Sequence, residues 1–113
     1  MLSIDSLREY GADVDDGLKR CLNNETFYLK LVSRVPGDEN FFKLRDAVAA
    51  GDLDAAFAAA HTIKGIAGYL SLTPIGKPIG EITELLRAKT DTDYGPLTSE
   101  ILAARDRLAE IAG

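Results

Sequence analysis

Apolar residues recur along this chain every three to four positions, and no stretch alternates every second one, which predicts helices throughout and no sheet. A short N-terminal turn is expected around Ser3 to Tyr10, then a helix near Val14 to Leu22, broken by Asn23-Asn24. Glu25 to Val35 carries Phe27, Tyr28, Leu31, Val32 and Val35 at helical spacing, and Pro36-Gly37-Asp38 closes it. Asn40 to Ala50 places Phe41, Leu44, Ala47 and Val48 on one stripe, with Gly51 in the position that tolerates a left-handed backbone after a helix. Asp52 then caps the longest helix, Leu53 to about Leu70, which is rich in alanine and free of proline. Thr73-Pro74 offers another cap and first-turn pair, but Pro78 and Gly80 interrupt the next segment, so regular helix is expected only from near Lys77, with Ile79, Ile82, Leu85 and Leu86 buried. Lys89 to Gly95 is a polar turn, and Pro96 opens a last helix bearing Leu97, Ile101, Leu102, Arg105, Leu108 and Ile111. Amphipathic helices of this length joined by short turns predict an all-α antiparallel bundle.

Length and composition narrow the picture. At 113 residues, 46% hydrophobic and 27% charged, residues 1–113 are expected to form a single globular domain around one core. The formal charge is -5 and no Lys/Arg cluster stands ready to neutralise a phosphate backbone, so no nucleic-acid partner is expected. The start, MLSIDSLREY, has neither the basic nor the apolar segment of a signal peptide, and no apolar run approaches the roughly 20 residues of a membrane span. A cytoplasmic protein with no membrane partner is the expectation. Cys21, the lone cysteine, falls on the apolar stripe with Val14, Leu18 and Leu22 and is read as a packed thiol.

The chemistry concentrates on the longest helix. On a wheel advancing about 100° per residue, Asp54, Ala58, Lys64, Gly65 and Gly68 lie within about 60° of the single histidine, His61, with Phe57 at about 40°. Ala56, Ala59, Ala60, Ile63, Ile66, Ala67 and Leu70 take the other side, so His61 points away from the core. A lone histidine is ordinarily only a satisfied residue, an exposed lysine only a solvated one, a helical glycine often a packing notch, and Phe57 equally the edge of the core. Together they say more. Two glycines on the histidine's face each cost the helix about 1 kcal/mol relative to alanine, in a segment that uses alanine freely. Bare backbone there leaves room for a docking macromolecule, Lys64 can set an ammonium beside any anion the imidazole carries, and Phe57 offers an apolar contact.

The segment Ala60-His61-Thr62-Ile63-Lys64-Gly65-Ile66-Ala67-Gly68-Tyr69-Leu70 resembles the signature of histidine-containing phosphotransfer (HPt) domains of two-component phosphorelays. The resemblance extends to Gly51-Asp52, to Asp13 through Val32 and to the amphipathic stretch after Thr73. It implies an antiparallel up-down four-helix bundle with an additional short N-terminal helix. It implies further that His61 is the phosphoacceptor, Lys64 the charge that neutralises the phosphate, and Gly65 the clearance for a partner; Asp54, Phe57, Ala58 and Gly68, which share the histidine's side of the wheel, are expected on the docking face with Gly65. Two departures stand out: many relatives have glycine at Ser71, and the following helix usually lacks an internal Pro78 and Gly80.

An ordinary imidazole is largely neutral near pH 7 and needs no strong base to act as a nucleophile. The expected reaction is in-line attack on a receiver domain's aspartyl phosphate, followed by onward transfer to another receiver aspartate; this demands mainly positioning and charge neutralisation. The expected partners are response-regulator receiver domains and a hybrid histidine kinase. No cofactor or metal of the chain's own is expected, and Mg²⁺ would come with the receiver; Asp15-Asp16 and Asp91 to Asp93 are read as helix-end or turn carboxylates. Neither GxxxxGK[ST] nor GxGxxG occurs, which argues against ATP-dependent kinase activity, so the chain is read as a relay intermediate and not an enzyme. The alternative is a helical bundle that docks response regulators as a scaffold without being phosphorylated. A metal-dependent hydrolase is disfavoured because one histidine without cysteine partners cannot build the usual ligand sets.

Overall fold

A computed structural model describes residues 1–113, and every regular element in it is helical. The helices are α1 (Ile4–Tyr10), α2 (Val14–Arg20), α3 (Glu25–Arg34), α4 (Asn40–Ala50), α5 (Leu53–Tyr69), α6 (Thr73–Arg87) and α7 (Gly95–Ala112), with a 3₁₀ turn at Val35–Gly37. The stretch read as an N-terminal turn is thus a helix, and three short helices precede α4 where the resemblance implied one. No helix is long and apolar enough to cross a membrane.

The caps around α5 form as the residue types dictate. Gly51 ends α4 at φ 72°, and the Asp52 carboxylate accepts the Ala55 N–H at 3.0 Å to start α5. The buried face of α5 is Ala56, Ala59, Ala60, Ile63 and Ala67, four of them alanines that let α4 and α6 approach closely. In turn α7 packs against both α4 and α6, closing a ring whose members share one cluster of 25 buried residues with the N-terminal helices. The short turn Leu70–Leu72 sends α6 back along α5.

Further expectations need correction. Helix α6 begins at Thr73, with Leu72 as its cap residue and no side-chain capping bond from Thr73, and it continues through Pro78. Proline costs a helix interior about 3 kcal/mol, yet Pro78 is itself buried, and Ile75, Ile79, Ile82 and Leu86 bury the same face. Burying four such side chains, at roughly 1.5–3 kcal/mol each, outweighs the lost bond. Leu22 is no part of a buried stripe: α2 stops at Arg20, and Leu22 turns left-handed at φ 58° and is 90% exposed, while Cys21 is buried as expected. Phe27 is 45% exposed, and Tyr28 takes the interior position beside it.

The N-terminal helices are fastened to the C-terminal end of α5. The buried Tyr28 hydroxyl donates to the Leu70 carbonyl at 2.9 Å, and burial pushes its pKa up to about 12. Directly beneath it, Gly17 leaves no room for a side chain: a methyl group there would stand 2.6 Å from Tyr28 Cε1 and 2.8 Å from the Leu70 carbonyl oxygen. Ser71, one of the two departures from the expected pattern, occupies the left-handed region at φ 56°. Its carbonyl accepts the Asp13 N–H, and its hydroxyl donates to Asp16, holding that carboxyl below the ordinary aspartate range. The hydroxyl gives a serine at this position a bond that a glycine would lack.

Candidate functional site

Helix α5 carries His61 midway along its length, on the face opposite Ala60 and Ile63, and the imidazole is exposed. Lys64, Gly65 and Gly68 are exposed on the same face, as are Asp54 and Ala58, while Phe57 is half-buried. The helical wheel therefore places all seven on the side where the structure has them. A methyl group added at Gly65 or Gly68 would meet nothing within 4 Å, so neither glycine is a notch for a neighbouring helix; the space above them is open to solvent.

The imidazole stands over a shallow depression of about 430 Å³ lined by Arg20, Lys64, Gly65, Gly68 and Tyr69. On the N-terminal side its neighbour is Phe57, with ring centroids 5.6 Å apart and planes inclined by 39°. Phe57 is both an edge of the core and a wall of the site, which resolves the two options left open for it. Thr62, next to His61, turns its hydroxyl back to the Ala58 carbonyl at 3.1 Å and is exposed.

Helix α6 borders this face with charge. Lys64 Nζ is 3.7 Å from Glu84 Oε1, Arg87 Nε is 3.4 Å from Glu84 Oε2, and the Arg87 guanidinium lies over the Phe57 ring at 5.1 Å. Further along, Lys89 Nζ is 3.4 Å from Asp54. Asp54 is thus on the expected face but already has a cation. The border toward α3 is apolar: a groove of about 400 Å³ runs between Leu31 and Val35 on one side and Gly65, Ile66, Tyr69 and Leu70 on the other, with Arg34 and Asp38 at its rim. Tyr69 is 45% exposed there, and its hydroxyl donates to the Arg20 carbonyl at 3.1 Å, tying the end of α2 to the site.

Arg20, Tyr69, Glu84 and Arg87 border the site without having been singled out from sequence. Tyr69 lies within the motif, and its exposed angle on the wheel could have marked it. Arg20, Glu84 and Arg87 come from other helices, and only the pairing of helices brings them near His61. Among the carboxylates read as helix-end or turn residues, Asp15 pairs with Arg8 at 2.9 Å, and Asp93 accepts the Gly95 N–H at 2.9 Å. Nowhere do three or more His, Cys, Asp or Glu side chains gather as a metal site.

An exposed imidazole beside a lysine, with open backbone one and two turns on, is an arrangement suited to receiving an anionic group from another macromolecule. No curated protein and no solved structure matches the chain. The family model for the Hpt domain does match, over residues 37–112, which takes in α4 through α7, His61 and every residue of α6 that borders it. The match leaves α1, α2 and α3 outside, including the Asp13 to Val32 stretch of the resemblance, but it spans well over half of the sequence, and the chain therefore belongs to the Hpt domain family.

Proposed function

We propose that this chain is a phosphorelay intermediate: His61 accepts a phosphoryl group from the aspartyl phosphate of a response-regulator receiver domain and passes it to another receiver aspartate. The observation that carries this is the chain's only histidine standing exposed on α5 with unobstructed backbone beside it, inside the segment matched by the Hpt domain. In the step itself a ring nitrogen of neutral His61 forms the N–P bond. The P–O bond to the partner's carboxylate breaks and its electron pair leaves with that carboxylate, while the proton on the other ring nitrogen stays on the ring or passes to water. Lys64 supplies charge to the phosphoryl oxygens and no proton.

Receiver docking would use the face of Asp54, Phe57, Ala58, Gly65 and Gly68, with the apolar groove of Leu31, Ile66 and Tyr69 as its greasy margin. Mg²⁺ would be brought by the receiver, and a hybrid histidine kinase would stand upstream. In this proposal residues 1–113 act as one cytoplasmic domain in which α4 to α7 form the antiparallel up-down four-helix bundle. The chain carries phosphoryl groups and has no ATP-dependent kinase activity of its own.

The test mixes the protein with a phosphorylated receiver and follows acid-labile phosphate on wild type and on His61→Gln. Label on wild type alone is expected. Equal label on both would remove His61 from the chemistry, and receiver binding without label on either would favour a docking scaffold.

A further inference from the structure

Lys64 does not stand free beside His61. One carboxylate on α6 holds it: Glu84 Oε1 is 3.7 Å from the Lys64 ammonium, and Glu84 Oε2 is 3.4 Å from Arg87 Nε. Arg87 is in turn seated over Phe57, whose ring is 5.6 Å from the His61 imidazole. We propose that Glu84 is a positioning residue for phosphotransfer, holding Lys64 and Arg87 in place while His61 is unmodified and yielding Lys64 to the phosphoryl group once His61 carries one. This rests on the phosphotransfer role proposed above.

The charges decide the direction of exchange. The Glu84 and Lys64 side chains are 61% and 45% exposed, so water screens their attraction and the pair exchanges readily. A phosphoryl group offers nearly two negative charges and three acceptor oxygens against the single charge of a carboxylate. It would sit on a residue one helical turn from Lys64, on the same face. Glu84 keeps Arg87 after Lys64 leaves, because that pair is local to α6, three residues apart. Before transfer the two cations cancel a carboxylate that would otherwise repel an incoming aspartyl phosphate. Afterwards one of them moves to the product. Glu84 thereby sets how tightly the phosphoryl group is held, keeping Lys64 from stabilising phosphohistidine fully and so favouring onward transfer.

Glu84→Gln keeps the shape of the side chain and, at an exposed helical position, leaves the fold intact. It should free Lys64 in advance and lengthen the half-life of phosphohistidine by roughly two- to fivefold, the range of an exposed charge pair. A partner-free test loads wild type, Glu84→Gln, Lys64→Ala and the double variant with phosphoramidate, then follows phosphohistidine loss by ³¹P NMR. The half-life should lengthen for Glu84→Gln in the wild-type background and change much less when Lys64 is already alanine. The same factor in both backgrounds would overturn the proposal, because Glu84 would then act through its own field alone; so would no change in either. A wild type that takes no label on histidine would instead overturn the phosphotransfer role itself, and the role of Glu84 with it.

Discussion

Gly17 lies inside α2 and Gly65 inside α5, with Gly68 in the last turn of α5, and each costs its helix intrinsic stability relative to alanine. Their surroundings are opposite. A methyl group at Gly17 would press into the Tyr28 ring and the Leu70 carbonyl, whereas one at Gly65 or Gly68 would meet nothing within 4 Å. The first glycine exists for the chain's own packing, at the joint where α2 and α3 are fastened to the end of α5. The other two face open solvent, and in the proposed function that space is taken by a docking partner. A glycine in a helical sequence reports that space is needed there, and only the fold says whose space it is.

The largest effect should come from filling the wrong one. Gly17→Ala gains about 1 kcal/mol of helix propensity but forces a rigid ring and a backbone carbonyl to move, which at up to about 3 kcal/mol or more leaves a net loss of roughly 2 kcal/mol. Denaturant melts should show it as a lowered midpoint, with His61 chemistry intact in the folded fraction. An unchanged midpoint would mean that the joint is looser than its geometry.

Next comes Gly65→Leu, which leaves the bundle folded because the position is exposed and leucine is the better helix former. Transfer from a receiver should nevertheless fall by about tenfold, the equivalent of roughly 1.4 kcal/mol at the barrier, while loading by a small donor such as phosphoramidate stays normal. Equal loss with both donors would point to damage at His61 itself, and no loss with either would show that partners do not use this clearance.

The smallest effect separates the joint from the site by pH. Tyr28 and Tyr10 are both raised to about 12 from the ordinary 10.0, chiefly by burial. Between those values the unfolded chain has already given up protons that the folded chain retains, so stability is full below pH 10 and falls as pH rises toward 12. Tyr28→Phe should lower stability by about 1 kcal/mol near neutrality through the lost bond to Leu70 and flatten part of that alkaline decline. Gly65→Leu should leave the decline as it is. A wild-type melting curve level between pH 10 and 12 would contradict the burial of these hydroxyls.

The sequence makes local features legible and leaves tertiary ones hidden. Gly51 and Asp52 bracket α5 as their backbone chemistry requires, and the angular position of His61 depends only on helical period. Sequence and structure part where tertiary packing overrides a local rule. Pro78 remains helical because the buried face of α6 outweighs a missing N–H, and Leu22 leaves its stripe because α2 unwinds after Arg20. The charged border of the site is invisible in the sequence for a different reason. Glu84 and Arg87 reach the His61 face only because α6 runs back along α5, and no pattern within one helix announces its neighbour.

The most direct measurement is to locate the phosphoryl group on the loaded protein. After loading from a receiver and digestion at neutral or mildly alkaline pH, mass spectrometry of the tryptic peptide Asp46–Lys64 should place one phosphoryl group on His61. Brief acid treatment should remove it. A phosphoryl group that survives acid on the adjacent Thr62, or one found on any other peptide with Asp46–Lys64 unmodified, would contradict the account.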